Sequence, residues 1–99
     1  MSTASEPVTV RILEREYRVM CTPAERRALM ESALFLDQQM REIRDSGRIS
    51  SMEKIAVMCA LNLSEEILRL RQESSERQEK IDRRISDLAG RLDQAMARD

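Results

Sequence analysis

The sequence predicts an α+β protein: a small head of a β-hairpin and a helix, followed by a long C-terminal helix forming a coiled coil. Three observations predict it. Residues 8–21 alternate apolar and polar side chains at the period of a strand. Two later stretches carry apolar residues at helical spacing, each behind a helix-start signal. From Ser50 onward there is no proline and one glycine, Gly90, and Ile81, Ile85, Leu88, Leu92 and Ala95 recur in steps of 4, 3, 4 and 3. That is a heptad stripe. The boundaries that follow are a disordered N-terminus over 1–7, a head over 8–70 and a coiled coil over 71–99.

The opening MSTASEP is small and polar. Val8, Val10 and Ile12 then share one face, and Tyr17, Val19 and Cys21 resume the inward set after a break at Leu13-Glu14-Arg15. Alternation rich in β-branched residues reads as a hairpin, although its turn lacks glycine. Two strands alone are marginal in water, so they need a covering helix and a partner at an edge. Thr22-Pro23-Ala24-Glu25 predicts a helix start, with Thr22 as N-cap, Pro23 in the first helical position and Glu25 closing a capping box. Leu29, Ala33, Leu36, Met40 and Ile43 line one face of that helix, which runs from Pro23 to about Asp45 and stops at Gly47.

Ser50 and Glu53 form a second capping box. The helix they start is apolar nearly all round over Met52–Leu70, so several neighbours should cover it, a second copy of the chain among them. RQESSERQEK over 71–80 holds no apolar residue. It reads as a solvated helical spacer laced by pairs such as Glu76–Lys80 and Glu79–Arg83, or as a hinge. A helix of almost fifty residues would be roughly 70 Å long. The rest of so short a chain cannot cover it, so the tail stripe must meet another chain.

Composition narrows the function. Charged residues are 35% and aromatics 2% of 99 residues, which suits solvated helices more than a thick core. A net charge of −1 gives no overall attraction to nucleic acid or to an acidic membrane. No stretch has the roughly 18 apolar residues of a membrane span, and the N-terminus is not a secretory signal, so a cytoplasmic location is expected. Cys21 and Cys59 are isolated and histidine is missing. The thiols should be buried and reduced, and neither a metal site nor a cofactor is expected. Nucleophile, base and phosphate-loop motifs are missing as well, so the expected protein is not an enzyme.

Arg41, Arg44 and Arg48 lie around the turn between the helices, and Arg15 lies at the hairpin tip. These cations either serve solubility and the helix dipole or form a small basic surface for an acidic protein.

Three segments, VTVRILEREYRVMCTPAERRAL, FLDQQMREIRDSGRI and MEKIAVMCALNLSEEIL, resemble the ZapA family of bacterial cell-division proteins, which associate with FtsZ. REIRDSG and IAVMCALNL are the most specific pieces. The resemblance implies heads that dimerise through a shared sheet and helix contacts, and tails that pair two dimers into a tetramer cross-linking FtsZ filaments at the mid-cell division ring. It places FtsZ contacts on Arg15, Arg44, Arg48 and Glu53, although a capping role for Glu53 is the simpler one. Assembly falls on the stripe of Ile81, Ile85, Leu88 and Leu92, with Ile85 at a tetramer-packing position. Glu14 departs from the family, which commonly has glycine in the hairpin turn. Other division-ring proteins stay open as further partners. Two rival readings are a coiled-coil adaptor for a different protein and a dimeric nucleic-acid-binding regulator.

Overall fold

The computed structural model describes residues 4–97. Its elements run β1 (Glu6–Ile12), β2 (Arg15–Cys21), α1 (Arg26–Asp45) and α2 (Met52–Met96). This is the expected hairpin, helix and long helix. Of the segment expected to be disordered, residues 1–3 lie outside the described residues, while Glu6 and Pro7 already belong to β1.

The strands pair antiparallel, with Val8 opposite Val19 and Val10 opposite Tyr17. Period-2 alternation thereby puts Val8, Val10 and Ile12 on the buried face. The inward set of β2 is only partly realised. Cys21 is buried and Val19 half-buried, but Tyr17 stays exposed because α1 lies against β1, the other strand.

The connection is a two-residue turn, with Leu13 at φ 48° and Glu14 at φ 64°. Left-handed conformation at both positions suits the right-handed twist of a hairpin and normally recruits Asn and Gly. With ordinary side chains it costs about 1–2 kcal/mol per residue. Two local facts offset that cost. Leu13 is buried, which is worth about 2 kcal/mol. Its N–H donates to Asp37 Oδ1 of α1 at 2.8 Å.

α1 begins three residues later than the sequence predicts. Thr22 does not cap it, because the Thr22 hydroxyl donates to Glu25 Oε1 at 2.6 Å and the Thr22 N–H to the same oxygen at 3.2 Å. Pro23, Ala24 and Glu25 form a turn closed by Glu25 N–H to the Thr22 carbonyl at 3.0 Å, and the helix starts after it. These hydrogen bonds, the hydroxyl's first, hold the Glu25 carboxyl below its ordinary pKa. Ala33 and Met40 are buried, and Leu29, Leu36 and Ile43 half-buried, so the predicted face is the packed one. At the far end Gly47 N–H donates to the Arg44 carbonyl at 3.1 Å, with Gly47 at φ 74° as expected of a left-handed stop.

α2 starts at Met52, and the Ser51 carbonyl takes the first helical bond from Ile55 N–H at 2.9 Å. Ser51 therefore holds the cap position one residue beyond the predicted Ser50. The described chain divides into two compact units after Asn62. In the first, Ile55 and Cys59, one turn apart, are the most deeply buried side chains. An open apolar groove of about 450 Å³ remains, lined by Val10, Ile12, Tyr17, Val19, Leu29, Ser32, Ala33, Leu36, Met40, Met52 and Ala56. The second unit, from Leu63, is helix up to Met96. Helix continues through 71–80, but the anticipated pairs are replaced. Gln72 donates to Glu76 at 3.1 Å and Gln78 to Asp82 at 3.0 Å, while Arg83 Nε reaches the Glu79 carbonyl at 3.4 Å.

Candidate functional site

The basic residues of the head fall into two groups. The first is built on the hairpin turn. Arg41 Nη1 donates to Glu14 Oε1 at 3.1 Å, and Arg44 Nη1 to Glu14 Oε2 at 3.2 Å. Arg41 Nε also donates to Asp37 Oδ2 at 2.8 Å. Asp37, Arg41 and Arg44 lie one turn apart on α1, so a single helix edge presents all three to the turn. Arg15, which follows Glu14 as the first residue of β2, is exposed and makes no ion pair among the described residues.

The charges there are interlocked. Asp37 is held below the ordinary carboxylate range, first by the Arg41 hydrogen bond and then by the Leu13 N–H. Arg41 is correspondingly held above its usual value, with the Asp37 hydrogen bond as the leading cause. The family resemblance makes Arg44 a recognition side chain, which would suit an exposed position. It is instead half-buried, tied to Glu14 and also to Asp45 at 3.5 Å. Its place in the last turn of α1 suits the helix dipole.

The second group lies where α1 gives way to α2. Arg48 is exposed beyond Gly47 and borders a hollow of about 460 Å³ with Gln39, Glu42, Ile43, Ser46, Ile49, Met58, Cys59 and Asn62. Glu53 borders a smaller one of about 290 Å³ with Ile49, Lys54, Val57, Met58 and Leu61. The two hollows share Ile49 and Met58. Neither Arg48 nor Glu53 makes an ion pair among the described residues, and no hydrogen bond or ion pair joins them to the turn group. Glu53 in the first turn of α2 complements the helix dipole.

Sequence reasoning missed Glu14 and Asp37 as members of the basic surface. The Asp37–Arg41 spacing of four residues was a readable signal. The Glu14 bridges span 27 and 30 residues, and no local pattern announces them.

Chemically, this surface offers charge recognition. Among the described residues no group of three or more His, Cys, Asp or Glu could hold a metal ion, and no helix is long and apolar enough to cross a membrane. Both cysteines are free and buried. Burial pushes the Cys59 thiol upward, which disfavours the reactive thiolate.

On the second unit, Ile81, Ile85, Leu88 and Leu92 form one stripe, and each is between 43% and 61% exposed in the single chain. Leu68 and Leu70 are exposed as well.

A family profile described as "Cell division protein ZapA" matches residues 8–92. A cell division protein ZapA from Pseudomonas aeruginosa is 42% identical over 97 residues, covering 94% of this chain and 89% of that protein. Among solved structures, one described as an unknown conserved bacterial protein from Pseudomonas aeruginosa superposes with a TM-score of 0.72 at 36% identity, covering 91% of this chain and 99% of the other. A ZapA mutant dimer from Geobacillus stearothermophilus gives a TM-score of 0.61 at 25% identity, covering 82% and 93%.

Proposed function

This chain belongs to the cell division protein ZapA family, and from that premise we propose that it is a non-enzymatic scaffold that binds FtsZ and bundles its filaments. It works in the cytoplasm, at the mid-cell division ring. The observation that carries this reading is the uncovered heptad stripe from Ile81 to Leu92. A helix with such a face reaches its low free energy only against another chain. The head adds a second uncovered apolar region, the groove edged by Tyr17 and Leu29.

Two separate apolar surfaces support two separate self-contacts. Heads pair through the groove and the hairpin, in keeping with the solved ZapA dimer from Geobacillus stearothermophilus. Tails then join two dimers along Ile81, Ile85, Leu88 and Leu92. The basic head residues Arg15, Arg44 and Arg48, with Glu53, face the filament. Each head contact is weak by itself, and several heads in one assembly raise the effective concentration of the next contact. Sedimentation of polymerised FtsZ with and without the protein, read beside electron micrographs, tests this. Co-sedimentation and thick bundles are expected. Filaments that stay single, with the protein left in the supernatant, would refute it.

A further inference from the structure

Glu14 occupies a fork made by two guanidinium groups. Arg41 Nη1 donates to its Oε1 at 3.1 Å, and Arg44 Nη1 donates to Oε1 at 3.4 Å and Oε2 at 3.2 Å. Asp37 takes Arg41 Nε at 2.8 Å from the other side and fixes the plane of that guanidinium. The two carboxylates are held differently. The Asp37 side chain is 21% exposed and also accepts the Leu13 N–H, whereas the Glu14 side chain is 58% exposed and is hydrogen-bonded only by the two arginines. An ion pair that exposed is weak, because water solvates both partners nearly as well as they solvate each other.

We infer that Arg41 and Arg44 form a carboxylate-binding fork in which Glu14 is a displaceable resident, replaced by an acidic side chain of the protein partner. The chemistry of the ligand is read from the resident: planar, anionic and able to bridge two guanidiniums. Exchange of one carboxylate for another keeps the number of ion pairs constant, and Glu14 moves into solvent. Asp37 stays and keeps Arg41 oriented. The inference rests on the reading of the basic head surface as the partner surface, and it adds Arg41 and Glu14 to that surface. Glu14 then acts as a brake: it competes with the partner and screens the positive charge that would attract it.

The experiment uses the full chain and two probes, a fluorescein-labelled glutamate-rich peptide followed by anisotropy and polymerised FtsZ followed by co-sedimentation. Glu14→Gln removes the charge at nearly constant shape. Glu14→Gly removes the side chain and suits the left-handed turn, so one variant stays folded if the other does not. Both are expected to bind the peptide about threefold more tightly than the parent, since exposed pairs are weak, and with steeper salt dependence. Adding Arg41→Gln and Arg44→Gln should remove the gain. Unchanged or weaker peptide binding by folded Glu14 variants overturns the inference, as does a peptide bound by no variant. If the peptide gain is seen while FtsZ binds neither parent nor variants, the fork stands and the FtsZ reading fails. If FtsZ binds parent and Glu14 variants equally, the FtsZ reading stands and the fork as a partner site fails.

Discussion

Every buried apolar side chain among the described residues, from Val8 to Cys59, belongs to the unit that ends at Asn62, and none belongs to the unit that begins at Leu63. The first unit buries a core on itself, though Leu34, Phe35 and Val57 stay exposed, and ties its hairpin turn to α1 with ion pairs. The second satisfies its backbone within one helix and leaves Ile85, Leu88 and Leu92 uncovered. The same apolar chemistry therefore has two uses. In the first unit it sets a shape. In the second it stays exposed, because a lone helix has no inside; under the proposed function a neighbouring chain covers it.

Replacing Ile85 by Glu gives the sharpest test of that contrast. Ile85 touches little in the single chain, so helicity and the folded dimer should survive. In an assembled seam the unpaired charge costs several kcal/mol, and the tetramer should be lost. Analytical ultracentrifugation decides: an unchanged tetramer at micromolar concentration would remove the tail from the assembly.

The head answers to a different substitution. Arg48→Glu removes a cation without an ion pair, so the melting temperature should stay within a degree or two while FtsZ bundling is lost through like-charge repulsion and lost avidity. Arg44→Glu places a carboxylate between Glu14 and Asp45, and it should lower the melting temperature as well as bundling. Equal melting temperatures for the two variants would mean that the turn group does not support the fold.

Asp37→Asn should cost about 1 kcal/mol, because the amide oxygen can still accept a hydrogen bond and only the charge-assisted part is lost. It should also change the acid limb of stability. The folded-state pKa of Asp37 is depressed, so its contribution is complete above the ordinary carboxylate value and is lost as pH falls through the lowered one. Thermal melts between about pH 2 and 6 should show a shallower decline in the variant, and a parallel decline would deny Asp37 that role.

The smallest effect concerns Cys59. In a Cys21→Ser background it should react slowly with a disulfide reagent in the native state and fast in denaturant, as burial and a raised pKa require. Equal rates would show that the first turns of α2 are not packed.

What was legible in the sequence follows the range of the interactions. The strands are visible because Val8, Val10 and Ile12 repeat every second residue, and α1 because Leu29 to Ile43 step by four and three. Gly47 announces its own left-handed stop. The start of α1 was misplaced because the Thr22 hydroxyl bonds to the Glu25 carboxylate, an alternative that the same four residues also permit. Tyr17 looked inward by alternation, yet α1 lies against the other strand. In the candidate site, Arg48 is exposed, as its place after Gly47 suggests, whereas the engagement of Arg44 depends on Glu14, far away in sequence. The residues themselves show the stripe, and family membership supplies the division role.

The hairpin turn has one more consequence, for the order of events as the chain folds. Leu13 and Glu14 lack the intrinsic preference for the conformation they adopt, and their partners lie 24 to 30 residues downstream. Closing so long a loop is entropically costly until α1 exists to receive it. We predict that α1 amides gain protection before those of the hairpin in pulse-labelled hydrogen exchange during refolding, and a hairpin protected first would refute this. On the ribosome the strands emerge first, while Asp37, the acceptor of the Leu13 N–H, follows 24 residues later, so lasting closure is expected only after α1 has emerged.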